Sequence, residues 1–223
     1  MAGKTQEIVT IKPIEMKTVE ITIEGDSPLI MHAWSEKAKL MMLEAQQGKA
    51  KGKAKKYRNP VDEFIQSIYW LEGKPEYNDG ATEQECEEAF NKAIKKGAKF
   101  GFPCTAIKQA ANSAAYRMGW VKNQAGLRGA YFIDSEFGDM VEIKSDTPII
   151  REDMVRIGMG TADLRYRGEF HNWTATFKMS YNANGEFTLE NLINILNAGG
   201  TVCGIGEWRP EKDGNFGRYH VKI

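Results

Sequence analysis

The sequence predicts an α+β fold in which helices cover one face of an antiparallel sheet. Two observations support this prediction. Segments 17–24, 173–181 and 216–223 alternate apolar and polar residues with the period of half-buried strands. Segments 103–118 and 188–198 instead place apolar residues at helical spacing, between start and stop signals. At 223 residues the chain is long enough to fold as one large domain, 1–223.

The strands are predicted from alternation. In 17–24, Val19, Ile21 and Ile23 share one face. In 173–181 the inner face would be formed by Trp173, Ala175, Phe177, Met179 and Tyr181. Residues 129–133 and 139–144 are predicted to form a strand or hairpin.

The helices are predicted from their ends as well as from their period. Pro103 opens the first predicted helix and Gly119 closes it. Thr188 is the expected N-cap of the second, and Gly199 with Gly200 its expected stop.

In chain order these elements read β-α-β-β-α-β, which is the ferredoxin-like or RRM-like arrangement. Two segments do not belong to it. Residues 25–102 form a large insertion with a basic loop and an acidic helical part. Residues 145–172 form a second insertion between the central strands.

Composition excludes several classes. The chain has 30 Lys plus Arg and 30 Asp plus Glu, so it is not a uniformly basic nucleic-acid coat. There is no P-loop motif, and His32, His171 and His220 are widely separated, so we expect no cofactor and no metal. No run of 18 apolar residues occurs, so no membrane partner is expected. The three cysteines lack a CxxC spacing, which indicates a reducing, cytoplasmic location.

The neutral total conceals two opposed stretches in the first insertion. Residues 72–88 contain seven acids and one lysine. The basic stretch contains no acid and six cations: Lys49, Lys51, Lys53, Lys55, Lys56 and Arg58. Such stretches are either a solvated loop and helix face, or a basic loop that becomes ordered on a phosphate backbone.

A glycine-rich loop, residues 199–218, precedes the last predicted strand. Its glycines are Gly199, Gly200, Gly204, Gly206, Gly214 and Gly217. Backbone N–H groups of such a loop can cradle phosphates, and the presence of Trp208 and Arg209 favours a ligand-facing loop. The alternative is an ordinary connection containing one helix cap and one turn.

Two further segments carry cations that could contact a strand. In the last predicted strand, one face carries Phe216, Arg218, His220 and Lys222, which suits base stacking and phosphate pairing. A solvated edge strand is the alternative. The second insertion carries Arg151, Arg156, Arg165 and Arg167. It is predicted to be a hairpin that grips a nucleic-acid backbone, or a surface hairpin with incidental arginines.

Asp26 and His32, in the loop after the first strand, are the candidate catalytic residues. His32 could act as a general acid or base in RNA cleavage. No matched partner is visible in the sequence, so we expect no catalysis and take both residues as runners-up for a catalytic role.

With its β-α-β-β-α-β order, two insertions and the sequence GIGEWRPEKDGNFG, the chain resembles the RAMP superfamily of CRISPR-associated proteins. It is most similar in layout to the backbone subunits that polymerise along a guide RNA. The resemblance implies a modified RRM fold in which 145–172 is a thumb-like hairpin and 199–218 the glycine-rich loop. Family cleavage subunits have an acidic residue where Asp26 stands, and family ribonucleases use a histidine that His32 could mimic. The segments SPLIMHAWSEKAK and RIGMGTADLRYRGEF also resemble uncharacterised phage-encoded proteins.

These inferences predict a non-enzymatic protein that binds single-stranded RNA or DNA and self-associates along it as a filament or ring. The acidic 72–88 stretch of one copy would meet the basic 49–58 loop of the next. One alternative is a metal-independent ribonuclease using His32. Another is a phage protein-interaction module that acts on a host factor in the bacterial cytoplasm.

Overall fold

A computed structural model describes residues 12–34, 36–48, 58–157 and 160–222, which form an α+β structure with antiparallel sheets. Its strands are β1 (Met16–Gly25), β2 (Leu29–Met31), β3 (Trp70–Glu72), β4 (Lys99–Pro103), β5 (Tyr131–Asp134), β6 (Met140–Lys144), β7 (Ile149–Ile157), β8 (Thr161–Phe170), β9 (Thr174–Asn182) and β10 (Tyr219–Val221). Its helices are α1 (Glu36–Gln46), α2 (Pro60–Gln66), α3 (Glu83–Lys95), α4 (Cys104–Arg117), α5 (Ala125–Arg128) and α6 (Leu189–Ala198). A π-helical turn (Gly199–Cys203) continues α6, and a 3-10 turn (Pro210–Lys212) follows.

The larger sheet has the strand order β10-β1-β9-β6-β4-β3, and β5 also pairs with β9. Residues 129–144 thus form two strands, as one of the two alternatives predicted, and both strands pair with β9 rather than with each other as a hairpin. Strand β5 pairs with the end of β9, where Tyr131 lies opposite Tyr181, and β6 pairs with its beginning, where Ile143 lies opposite Ala175. A nine-residue strand is long enough to pair with both along the same edge.

One face of this sheet is apolar and packs against helices α4 and α6. Ile21, Ile23, Phe177 and Met179 point to that face and are buried, as alternation predicted. Helix α4 contributes a surface of small residues, which lets the π-helical turn lie directly against it: a Cβ on Gly199 would collide with the backbone of Ala111.

The smaller sheet has the order β2-β8-β7. Strands β7 and β8 form a long hairpin, with Arg151 opposite Arg167 and Asp153 opposite Arg165. At its base, β8 also pairs with β2, where Met31 lies opposite Gly168. The predicted 145–172 hairpin is thus joined to the segment that follows β1.

Both long predicted helices are present. Thr188 caps α6, and a reciprocal contact between Thr188 and Asn191 completes its first turn. The α-helical part of α6 ends at Ala198, next to the predicted stop, but the chain continues from there as a π-helical turn. Gly199 keeps a helical conformation, and the chain reverses only at Gly204, where φ is +66°.

The predicted strand 216–223 is shorter than expected, because only Tyr219–Val221 pairs with β1. Gly217 has a φ of +64°, and this left-handed conformation prevents the extended strand from including Phe216. Phe216 therefore does not share the open sheet face with His220. Ile223 lies outside the described residues.

The first insertion, 25–102, contains β2, α1, α2, β3, α3 and β4. The acidic 72–88 stretch includes the start of α3, which is closed by a capping box between Thr82 and Glu85. Phe64 of α2 and Phe90 of α3 join the same buried apolar cluster as β1 and β9. No helix within the described ranges is both long and apolar enough to cross a membrane.

Candidate functional site

Three segments far apart in sequence meet beside β2. His32 follows β2, Arg167 lies on β8, and Glu207 lies in the glycine-rich loop. His32 Nδ1 is 3.5 Å from Glu207 Oε1 and 3.5 Å from Arg167 Nη2. Arg167 Nη2 is also 3.8 Å from Glu207 Oε2. Two sequence-predicted residues, His32 and Arg167, thus share a carboxylate that the sequence analysis did not select.

His32 and Glu207 border a pocket of about 180 Å³, called here the His32 pocket. It lies between the start of α4, β4 and the glycine-rich loop. Its polar lining consists of His32, Tyr69, Gln109, Glu207, Arg209 and Glu211. Phe102, Ala106 and Ile205 supply apolar surface. The pocket therefore combines ring and aliphatic surface with six polar or charged side chains.

Glu207 interacts with several charged or titratable groups at the His32 pocket. Its polar contact with His32, with the nearby Arg167 and Arg209 charges, lowers the Glu207 pKa, although partial burial acts in the opposite direction. Glu207 is consequently a carboxylate at neutral pH and can only accept hydrogen bonds. Burial, followed by the negative charge of Glu207, raises the pKa of Tyr69.

The base of the β7–β8 hairpin holds a buried ion network around Asp153. Asp153 accepts from Arg151 Nε at 2.9 Å and from Arg167 Nη1 at 3.0 Å. Arg151 also donates to Glu169 at 2.7 Å, and its guanidinium lies 4.5 Å from the centre of the Phe216 ring. Because Arg151 and Arg167 face each other across the ladder, Asp153 neutralises the repulsion between them.

The glycines of the 199–218 loop allow close approach of this chain to itself. A side chain on Gly200 would collide with the Tyr219 carbonyl, one on Gly214 with the Trp208 carbonyl, and one on Gly217 with the Ile205 carbonyl. Gly204 packs against Pro210 and Gly206 against the Ile30 carbonyl. These contacts hold the loop in one conformation.

Several N–H groups of the loop are already bonded within the protein. Ile205 donates to Gly217 O at 2.9 Å, Glu207 to Ile30 O at 3.0 Å, and Gly217 to Pro28 O at 2.8 Å. The expectation that these groups cradle phosphates is not met by their geometry, because each is directed at a carbonyl.

Most of the selected arginines are paired with carboxylates. Arg58 contacts Glu63 and Asp163, both at 2.6 Å, and Arg165 contacts Asp163 at 2.9 Å. Arg209 contacts Glu211 at 2.9 Å. Arg156 and Arg218 are exposed and form no ion pair with the described residues. Among the selected arginines, these two are the most available to a polyanion.

The remaining candidates lie elsewhere. Asp26 Oδ1 and His220 Nδ1 are 2.8 Å apart, so the second catalytic runner-up pairs with His220 and not with His32. Trp208 is 38% exposed and has a φ of +51°. Lys49, Lys51, Lys53, Lys55 and Lys56 lie outside the described residues. No group of three or more potential metal ligands occurs within the described ranges.

Sequence reasoning missed Glu207, Asp153 and Tyr69. Glu207 belongs to the segment GIGEWRP, from which only the glycines, Trp208 and Arg209 were selected as candidate binding residues. Asp153 lies two residues after Arg151, so the two side chains share one face of a strand, and this spacing could have indicated an ion pair. No signal in the sequence places Tyr69 at the pocket.

No protein-family model matches the chain, and no curated protein matches it at a significant level.

Proposed function

We propose that this chain is a single-stranded nucleic-acid-binding protein, for RNA or DNA, that self-associates along the strand. One observation carries the proposal: the arginine-bearing hairpin and the aromatic-bearing glycine-rich loop meet, with Arg151 over the Phe216 ring at 4.5 Å. The hairpin also carries the exposed Arg156, and the loop carries the exposed Trp208 and Arg218. Single-strand binding combines such cations with aromatic rings.

The strand order supports a ferredoxin-like core of the RAMP type. In this proposal β1, β5, β9 and β10 are strands 1 to 4 of the core. Their order across the sheet is β10-β1-β9-β5, which corresponds to the order 4-1-3-2. Helices α4 and α6 would be the two crossover helices. In this proposal the β7–β8 hairpin is the thumb-like insertion.

Phosphate contacts would come from Arg156 and Arg218, together with the basic 49–58 segment, and stacking from Trp208. Arg151 and Arg167 would act indirectly, since their carboxylate partners already neutralise them. We place the protein in the cytoplasm, of a bacterial host if it is phage-encoded. Its three free, buried thiols suit a reducing compartment.

Self-association is supported by exposed apolar side chains. Helix α1 exposes Leu40, Met41, Met42 and Leu43. The hairpin exposes Met154 and Leu164. Clustered apolar surface of this kind commonly marks an interface, and a head-to-tail contact between copies produces a filament or ring.

The test titrates fluorescent single-stranded RNA and DNA at two salt concentrations, with mass measured in parallel. We expect salt-sensitive binding and a mass that increases with strand length. Arg156→Ala with Arg218→Ala should reduce the slope of log affinity against log salt by about 1.4, since each single-strand phosphate contact contributes about 0.7.

Trp208→Ala should cost about 1–3 kcal/mol of binding free energy if one base stacks on it. Lys96→Ala, an exposed cation at the end of α3, is the control and should leave binding unchanged. If neither RNA nor DNA binds with salt sensitivity, the proposal fails and the protein-interaction alternative replaces it.

The second candidate function is a metal-independent ribonuclease. The observation that favours it is His32, held 3.5 Å from Glu207 at the edge of a pocket. In this reading His32 removes the proton from a ribose 2′-OH, and Glu207 positions the imidazole. Cleavage of RNA in EDTA, lost in His32→Ala and retained in Asp26→Ala, would establish it. Intact RNA after prolonged incubation would exclude it.

A further inference from the structure

We propose that the His32 pocket binds one guanine base of the strand, with the Glu207 carboxylate accepting hydrogen bonds from the guanine N1–H and N2–H groups. This inference rests on the proposed nucleic-acid binding. It adds a base preference, which nothing in the phosphate or stacking contacts provides, because phosphates are identical at every position and stacking tolerates all bases.

The size of the pocket suits a single base. A cavity of about 150 Å³ accommodates a benzene ring, and pockets that enclose drug-sized ligands measure roughly 300–1,000 Å³. The His32 pocket, at about 180 Å³ and open to solvent on one side, lies between these. It can receive a planar base while the sugar and phosphate remain outside.

Aromatic and aliphatic side chains form part of the pocket wall. Tyr69 and Phe102 both line it, with ring centres 5.6 Å apart and planes at 81°. Ala106 and Ile205 add apolar surface. Proteins that take up an extruded base combine such contacts with hydrogen bonds to its Watson–Crick edge.

Glu207 has unused acceptor capacity. The two nitrogen atoms that approach its carboxylate, His32 Nδ1 and Arg167 Nη2, are 3.5 and 3.8 Å away, longer than the roughly 2.7–3.2 Å of a good N–H···O bond. The side chain is 40% exposed, so a ligand can reach it. An ionised carboxylate presents two oxygens side by side and therefore prefers a ligand edge with two adjacent donors.

Guanine is the base that satisfies this requirement. Its N1–H and N2–H groups are neighbouring donors on one edge, whereas adenine, cytosine and uracil each present a single donor group there. A cationic ligand fits less well, because Arg167 and Arg209 already surround Glu207. The Gln109 side chain lines the same pocket and carries an amide N–H₂ that can donate to the guanine O6 atom.

The experiment uses fluorescence anisotropy with the full chain and nine-nucleotide oligouridines whose central position is guanine, adenine, cytosine or uracil. We expect the guanine oligonucleotide to bind roughly five- to a hundred-fold more tightly, the discrimination of one good bidentate pair. Glu207→Gln should reduce that preference to within about threefold by the same measure. Glu142→Gln, on β6 and outside the pocket lining, should leave it unchanged.

A second measurement needs no variant, so it is independent of folding. Inosine lacks the 2-amino group, and placing it at the central position should remove a large part of the guanine preference of the unaltered protein. Salt-sensitive binding with equal affinity for all four bases, or for inosine and guanine, would overturn the pocket assignment and leave the proposed function standing. Absence of binding to every oligonucleotide would overturn both.

Discussion

The guanidinium of Arg151 lies 4.5 Å from the centre of the Phe216 ring. These residues belong to the β7–β8 hairpin and to the glycine-rich loop, which the chain separates by 65 positions. Arg151 is held in place from its other side by Asp153 and Glu169. The contact therefore links a buried ion network to a loop that approaches the His32 pocket.

This contact should be measurable as a coupling energy. We expect Arg151→Met and Phe216→Leu to be non-additive by about 0.5–2 kcal/mol of unfolding free energy, the range of a cation–π pair. Methionine removes the cation, and the loss of its ion pairs is common to the single and the double variant, so it cancels in the coupling energy. Urea unfolding of the wild type, both single variants and the double variant gives the coupling. Additive effects would indicate that the two groups do not interact energetically.

Asp153 should be critical for stability. It is buried between Arg151 and Arg167, and the Arg167 side chain is only 6% exposed. Asp153→Ala would leave buried positive charge uncompensated, so we expect a loss of about 3–5 kcal/mol in urea unfolding.

The matched double variant is Asp153→Leu with Arg167→Met. It removes the buried pair as a whole, and a hydrophobic replacement of that kind is often tolerated. We therefore expect it to be more stable than Asp153→Ala. A single variant that loses less than about 1 kcal/mol would contradict the burial of the network.

Two glycines with the same backbone conformation should respond differently to alanine. Gly217 and Gly119 have φ values of +64° and +71°. A Cβ on Gly119 meets open space, whereas one on Gly217 collides with the Ile205 carbonyl. We expect Gly119→Ala to cost about 1–2 kcal/mol from the left-handed conformation alone.

Gly217→Ala should cost considerably more, because the loop backbone must move as well. Thermal unfolding of both variants provides the comparison, and nucleic-acid binding should weaken only in Gly217→Ala. Equal destabilisation of the two proteins would show that close approach does not explain Gly217.

Stability should fall in alkali because of buried tyrosines. Burial raises the pKa of Tyr131 and of Tyr219. Above about pH 10 the unfolded chain releases these protons while the folded chain keeps them, so unfolding becomes more favourable as pH rises. The stabilising contribution is complete below that pH, and urea unfolding at pH 8 and pH 10.5 measures its loss.

Phenylalanine variants separate the two tyrosines. The Tyr219 hydroxyl finds no hydrogen-bond partner within the described ranges, so Tyr219→Phe should gain about 1 kcal/mol at pH 8. Tyr131 donates to Asn112 at 2.9 Å, and Tyr131→Phe should lose about 1 kcal/mol. Both variants should have a shallower alkaline decline. Destabilisation by Tyr219→Phe would indicate a partner for its hydroxyl.

The sequence correctly predicted those helices and strands that are determined by residues within a single segment. The alternation in β1 and β9, the N-cap Thr188 and the helical spacing of apolar residues in 103–118 each act within one segment, and each was predicted. The sequence also marked His32, Arg167 and the glycine-rich loop as separate features. It could not say that they meet.

Tertiary structure decided the site, because the site is made by contacts between distant segments. Pairing of β8 with β2 brings Arg167 to His32, and a Glu207 N–H bond to Ile30 brings the glycine-rich loop to both. Tertiary contacts also determined the role of the glycines, which is to let the backbone approach carbonyl groups from other parts of the loop and of the chain. Residue types were sufficient to nominate cations, but only the fold determined which of them a carboxylate neutralises.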